Sequence, residues 1–169
     1  MVTRIVDMLK ERGAVRYGDF TLASGEKSSY YIDIKTALLD PVLLRHIGDR
    51  IAETYTFDVV AGVAVGGIPI AVAAALSADK PYAIIRREPK THGRPDLVIG
   101  AVEGKDALLV EDVTTSGGSV LYGVRALREN GARVERVVSV VDREQGAAAM
   151  LKRENIVLHS LARASELLQ

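Results

Sequence analysis

Apolar residues recur along this chain in two alternating rhythms, one suited to helices and one to strands. Ile5, Met8 and Leu9 share a helical spacing that starts at Thr3 as N-cap and stops at Gly13, which predicts a short amphipathic helix over residues 3–12. Between Phe20 and Asp33, two β-rich runs flank Ser24-Gly25-Glu26-Lys27, the pattern of a hairpin. Pro41 opens a helix whose Leu44, Ile47, Ile51 and Ala52 lie on one face, with Tyr55 near its end. The run Phe57 to Val65 is continuously apolar, as in a strand buried on both faces, and a small-residue helix follows from Ile68 to Ser77. A strand at Tyr82–Ile85 follows Pro81. From there strands at 107–110, 134–141 and 156–160 alternate with helices at 118–130, ended by Gly131, at 147–153 and at 163–168. Regular alternation of this kind predicts an α/β fold with a mostly parallel central sheet flanked by helices. No repeat or linker interrupts it, so the 169 residues are expected to form one domain.

One segment breaks the rhythm. Residues 86–96, Arg-Arg-Glu-Pro-Lys-Thr-His-Gly-Arg-Pro-Asp, carry four cations and a histidine between Gly and Pro, and are expected to be an exposed loop. A solvated charge run is one use of such a segment. The other is a closing loop that brings cations to an anionic leaving group as its charge develops.

Composition narrows the setting. Lys+Arg and Asp+Glu both total 22, so no bulk field draws the chain to nucleic acid or an acidic membrane. Without cysteine, disulfides and thiolate metal sites are excluded, and a cytoplasmic location is the default. Met1 to Lys10 lacks the features of a signal peptide, and no apolar run reaches the length of a membrane span.

The chemistry concentrates in Leu108 to Ser119, Leu-Leu-Val-Glu-Asp-Val-Thr-Thr-Ser-Gly-Gly-Ser. An apolar run ending in Glu111 and Asp112, then a hydroxyl- and glycine-rich loop, then an amphipathic helix, predicts a phosphate cradle. Loop amides and the first helical turn have donors to spare, and the helix dipole adds positive character. Adjacent carboxylates repel a phosphate unless they hold sugar hydroxyls or metal-bound water. No P-loop can be drawn, because Ser119 rather than Lys follows Gly117-Gly118, and Gly62, Gly66 and Gly67 do not make a dinucleotide fingerprint. The glycines at 66 and 67 fit either a close approach to an oxyanion or a plain tight turn. Tyr17, Tyr30 and Tyr31 on the hairpin fit either a cover over a flat ring or packing onto the main domain.

This acidic pair followed by Val113, Thr114, Thr115, Ser116, Gly117, Gly118 and Ser119 resembles the ribose-phosphate signature of the type I phosphoribosyltransferases. Three further stretches, Phe20 to Gly25 with Ser29 to Asp33, Arg86 to Gly93, and Val141 to Gly146, are similar to the orotate phosphoribosyltransferases in order and spacing. The resemblance implies the type I phosphoribosyltransferase fold, with a small N-terminal hood over roughly residues 1–40. It implies transfer of ribose 5-phosphate from 5-phosphoribosyl 1-pyrophosphate to orotate, giving orotidine 5'-monophosphate and pyrophosphate in pyrimidine biosynthesis. It makes Glu111 and Asp112 the ribose clamp and catalytic residues, Thr114 to Ser119 the 5-phosphate loop, and Val113 a further contact of phosphoribosyl pyrophosphate. Arg86, Lys90 and His92 become pyrophosphate contacts, with Lys90 and His92 catalytic. Arg87 is expected to act in the neighbouring subunit of a homodimer, and Mg²⁺ to be held through substrate and water near the acids rather than by direct protein ligands.

Thr115 and Arg143 are the implied orotate contacts. A guanidinium can hold the carboxylate of orotate in two-point fashion, and purine bases carry none. A surface salt bridge from Arg143 to Asp142 or Glu144 is the alternative use. Two positions depart from the better-known bacterial branch, where lysines stand at the places of Ala23 and Gly66; Lys27 replaces the first only if its turn points it inward. A purine-base enzyme or a non-catalytic nucleotide sensor on the same fold are the competing readings.

Overall fold

The computed structural model describes residues 4–21, 27–88 and 97–169. Helix α1 (Ile5–Glu11) leads into the predicted antiparallel hairpin, β1 (Val15–Thr21) and β2 (Lys27–Ile32), but pairing of Val15 with Ile32 starts the first strand well before Phe20, and Lys27 belongs to the second strand rather than the turn. A four-residue helix, α2 (Ile34–Ala37), completes this hood and was not legible in the pattern. It forms because the Asp33 carboxylate accepts from the Thr36 amide at 3.1 Å and the Thr36 hydroxyl at 2.8 Å, while Ile34 and Ala37 are buried.

Helix α3 (Pro41–Thr54) begins at Pro41, with Asp40 capping the Leu43 amide at 2.8 Å. The alternating units follow: β3 (Val59–Val63), α4 (Gly67–Ala78), β4 (Tyr82–Ile85), β5 (Val98–Ile99), β6 (Ala107–Thr114), α5 (Gly118–Glu129), β7 (Arg136–Asp142), α6 (Ala147–Arg153), β8 (Val157–Arg163) and α7 (Ala164–Leu167). The six-stranded sheet runs β5-β4-β3-β6-β7-β8, parallel except for β5.

Side-chain alternation along the strands divides the core. Val60, Leu108, Val110, Val138 and Val140 join a cluster with helices α1 to α4. Val59, Ala61, Val63, Leu109 and Val137 join one with α5 and α6. Each aliphatic side chain so buried contributes about 1.5–3 kcal/mol.

Two strands end later than the pattern predicts. Strand β6 was expected to stop at Val110, but pairing of Val113 with Val141 and Thr114 with Asp142 carries it to Thr114, so the acidic pair lies within the strand. Strand β8 likewise runs to Arg163 because β7 continues to pair with it there. Among the described residues, no helix is long and apolar enough to cross a membrane.

Candidate active site

Strand order reverses between β3 and β6: the chain builds outward through β4 from one and through β7 and β8 from the other. The crevice at their carboxyl ends is where open α/β sheets bind ligands. The Val63–Gly67 turn and the Glu111–Ser119 stretch both open there.

The loop after β6 has the expected character. Among the described residues, the amides of Ser116, Gly117, Gly118, Ser119 and Val120 meet no backbone acceptor, and the first to do so is Leu121, bonded to the Gly117 carbonyl at 2.9 Å. Thr115, Ser116 and Gly118 are exposed. Gly117 has φ of +92°, a left-handed conformation that favours glycine, and a side chain there would also crowd Met150 and Ala147. The cradle begins one residue later than expected. Thr114 is buried with its hydroxyl 3.2 Å from Asp142 Oδ1, and Val113 is a strand residue, so neither belongs to the open loop.

Glu111 and Asp112 are 3% and 4% exposed, deeper than a clamp open to solvent. Their cover, however, is made of site residues. Ser119 Oγ donates to Glu111 Oε2 at 3.0 Å, so in this conformation that hydroxyl faces the acid rather than the phosphate position. Burial first, and Asp112 beside it second, push the Glu111 carboxyl up to about 7. Over Asp112 lies the backbone of Gly66, where a Cβ would overlap the carboxylate. The glycine turn after β3 thus lets backbone approach a carboxylate of the chain itself, rather than an open oxyanion pocket. The adjoining Ala64–Val65 peptide is cis.

Lys35 was not singled out by sequence, yet its Nζ lies 2.6 Å from Asp112 Oδ2. The contact is an ion pair, and among the described residues Oδ2 has no other partner. The only signal in the sequence was a cation following the Asp33 cap. Lys27 does not take the place of a site lysine: its ammonium donates to Thr21 Oγ1 at 2.8 Å across the hairpin.

At the end of β7, Arg143 stands beside the cradle, its amide bonded to the Thr114 carbonyl at 2.9 Å, while the Ala147 amide bonds to the Thr115 carbonyl at 3.1 Å. The surface salt bridge is not made. Asp142 Oδ1 is engaged by Thr114 and by the Glu144 amide at 3.0 Å, and Glu144 accepts from the Ser165 amide at 3.0 Å, which holds its carboxyl below the usual range. Among the described residues the Arg143 guanidinium has no ion-pair or hydrogen-bond partner.

The cationic loop starts at the end of β4, where the Arg86 amide bonds to the Leu97 carbonyl at 2.8 Å. The Tyr122 hydroxyl donates to the carbonyls of Arg86 and Arg87 at 2.8 and 3.2 Å, fixing the loop's root. Among the described residues Arg86 Nε is buried without a hydrogen-bond partner, and Arg87 Nε donates to the Ala64 carbonyl of its own chain at 2.9 Å. Lys90 and His92, and Ala23 in the hairpin turn, lie outside the described residues. Among the described residues no three acidic or imidazole groups converge on a point that could hold a metal.

An amide nest and paired acids at the switch point of a parallel sheet define a class that the comparisons name: the phosphoribosyl transferase domain family matches residues 37–159, and this chain belongs to that family. It is 56% identical over 168 residues to the orotate phosphoribosyltransferase of Methanocorpusculum labreanum, covering 99% of both chains. The crystal structure of the orotate phosphoribosyltransferase from Aeropyrum pernix superposes with a TM-score of 0.87 at 37% identity, over 97% of this chain and 96% of that one. The Mycobacterium tuberculosis enzyme in complex with 5-phospho-α-D-ribosyl 1-diphosphate gives 0.79 at 28% identity, over 98% and 97%. Within the wider family, this chain is an orotate phosphoribosyltransferase.

Proposed function

We propose that this chain performs its family's reaction, displacement of pyrophosphate from C1 of phosphoribosyl pyrophosphate by a ring nitrogen of orotate, with the following division of labour. The amides from Ser116 to Val120 hold the 5-phosphate at the start of α5. Glu111 and Asp112 accept the ribose hydroxyls, and their charge lies beneath the ring as positive character builds at C1. Ser119 turns from Glu111 to the phosphate when the ribose hydroxyls replace it. Thr115 and Arg143 receive orotate, whose carboxylate the guanidinium holds.

Arg86, Lys90 and His92 face the leaving pyrophosphate. Glu111 and Asp112 would stand next to Mg²⁺ bound with the substrate, which would supply charge neutralisation for the leaving group. A homodimer brings Arg87 to the partner's site. An exposed apolar groove supports such an interface: Leu76, 78% exposed, lines it between α3 and α4 together with Leu44, Ile68, Val72 and Ala73.

The observation that carries the base assignment is Arg143, which stands next to Thr115 with both neighbouring acids already engaged. A purine base would leave that guanidinium without a carboxylate. Incubating the protein with Mg²⁺, phosphoribosyl pyrophosphate and one base at a time, and following base consumption, tests this. Orotate is expected to disappear while adenine, guanine and hypoxanthine persist; consumption of a purine instead overturns the assignment, and consumption of none favours a nucleotide sensor.

A further inference from the structure

Asp112 and Glu111 place two carboxylates side by side in a nearly dry region, where a charge is costly unless a cation answers it. Among the described residues Lys35 is the one cation paired with either acid. It does not come from the sheet or the cradle. It comes from α2 of the hood, whose position is fixed by the Asp33 cap and by the buried Ile34 and Ala37. The turn after β3, which lies directly against Asp112, carries no side chain at Gly66, and one there would overlap the carboxylate. A cation can therefore meet Asp112 from the hood side but not from position 66.

The ammonium sits at a boundary. Its side chain is 67% exposed while that of Asp112 is almost wholly buried, so the lysine reaches a buried acid from the solvent side. An ammonium has three donors, enough to remain on Asp112 and still reach a phosphate or hydroxyl oxygen in the crevice. We propose that Lys35 is a positioning residue for phosphoribosyl pyrophosphate: it neutralises Asp112, holds that carboxylate in line for the ribose, and softens the repulsion that two bare acids would exert on an anionic substrate. This rests on the reading that Asp112 clasps the ribose. If Lys35 were only a staple between hood and sheet, its removal would lower stability and leave substrate affinity alone. Substrate affinity, rather than stability, separates the two roles, because a buried carboxylate left without its cation lowers stability in either case.

The test compares Lys35→Ala, Lys35→Met and Lys35→Arg with the unaltered chain. Calorimetric titration with phosphoribosyl pyrophosphate and Mg²⁺, without orotate, is set beside the KM of each substrate and the melting temperature. Lys35→Ala and Lys35→Met are expected to bind phosphoribosyl pyrophosphate roughly ten-fold more weakly. Lys35→Arg is expected to restore most of that affinity, with the KM for orotate unchanged throughout and the melting temperature lowered only in the two uncharged variants. Full affinity in Lys35→Met overturns the proposal. So does a loss of melting temperature in Lys35→Met without a change in affinity, or a failure of Lys35→Arg to bind better than Lys35→Met. Should the unaltered chain bind phosphoribosyl pyrophosphate yet consume no orotate, the reaction assignment falls while the Lys35 comparison still decides its own question.

Discussion

Replacing Glu111 by Gln should make the protein more stable in alkali than its parent while damaging its use of phosphoribosyl pyrophosphate. The carboxyl is buried beside a second acid, and those two causes raise it from 4.5 to about 7. A raised carboxyl binds its proton more tightly folded than unfolded. Its contribution to stability is therefore fully present below about pH 4.5 and is lost as pH climbs through 7. At about 1.4 kcal/mol per pH unit, the loss between pH 5 and pH 8 amounts to about 2–3 kcal/mol. Gln keeps an oxygen for the Ser119 hydroxyl but has no proton to lose, so the variant escapes this penalty.

The melting temperature of Glu111→Gln relative to the parent should rise by about 5–10 °C between pH 5 and pH 8, for a chain of this size. The same acid must be ionised to accept ribose hydroxyls. In the parent, kcat/KM for phosphoribosyl pyrophosphate should therefore increase with pH through about 7, and the variant should lose that limb along with most of its activity. Thermal melts and initial rates across the same buffers check both. A melting difference that does not change with pH, or that is larger at pH 5, refutes the argument from burial.

Three other substitutions probe separate parts of the site. Arg143→Gln removes a charged two-point contact and should raise the KM for orotate roughly 10- to 100-fold with little effect on that for phosphoribosyl pyrophosphate; equal shifts in both would place Arg143 outside the base site. Gly66→Ala forces a methyl group into the Asp112 carboxylate, at a cost of about 1–3 kcal/mol, and melting together with kcat/KM for phosphoribosyl pyrophosphate should both fall. Parental values for that variant would mean that the turn yields easily. Lys90→Ala should depress kcat far more than orotate affinity, as measured by single-turnover rates, and an unaltered rate would remove the cationic loop from the chemical step.

Much of the cradle could be read directly from the chain because its signals are local. Spare amides at the start of α5, glycine at position 117 and a carboxylate pair at the end of an apolar run depend on neighbours in sequence. The extent of β6 could not be read the same way. Its last residues are strand only because β7 supplies partners, and pairing across a sheet is a long-range property. Arg143 fell between the two cases. Its identity was plain, but the choice between a surface salt bridge and a free guanidinium turned on Ser165, which engages Glu144 from 21 residues away.

Periodicity and glycine placement by themselves determined that this chain builds an alternating α/β domain with a loop of spare amides after its acidic strand, since both follow from side-chain spacing and backbone freedom. Only the tertiary structure decided that Lys35 of the hood meets Asp112, that Lys27 stays with its hairpin, and that Glu111 is buried enough to hold its proton near neutrality. Those outcomes depend on distance and on exclusion of water. Neither quantity exists until segments remote in sequence close upon one another.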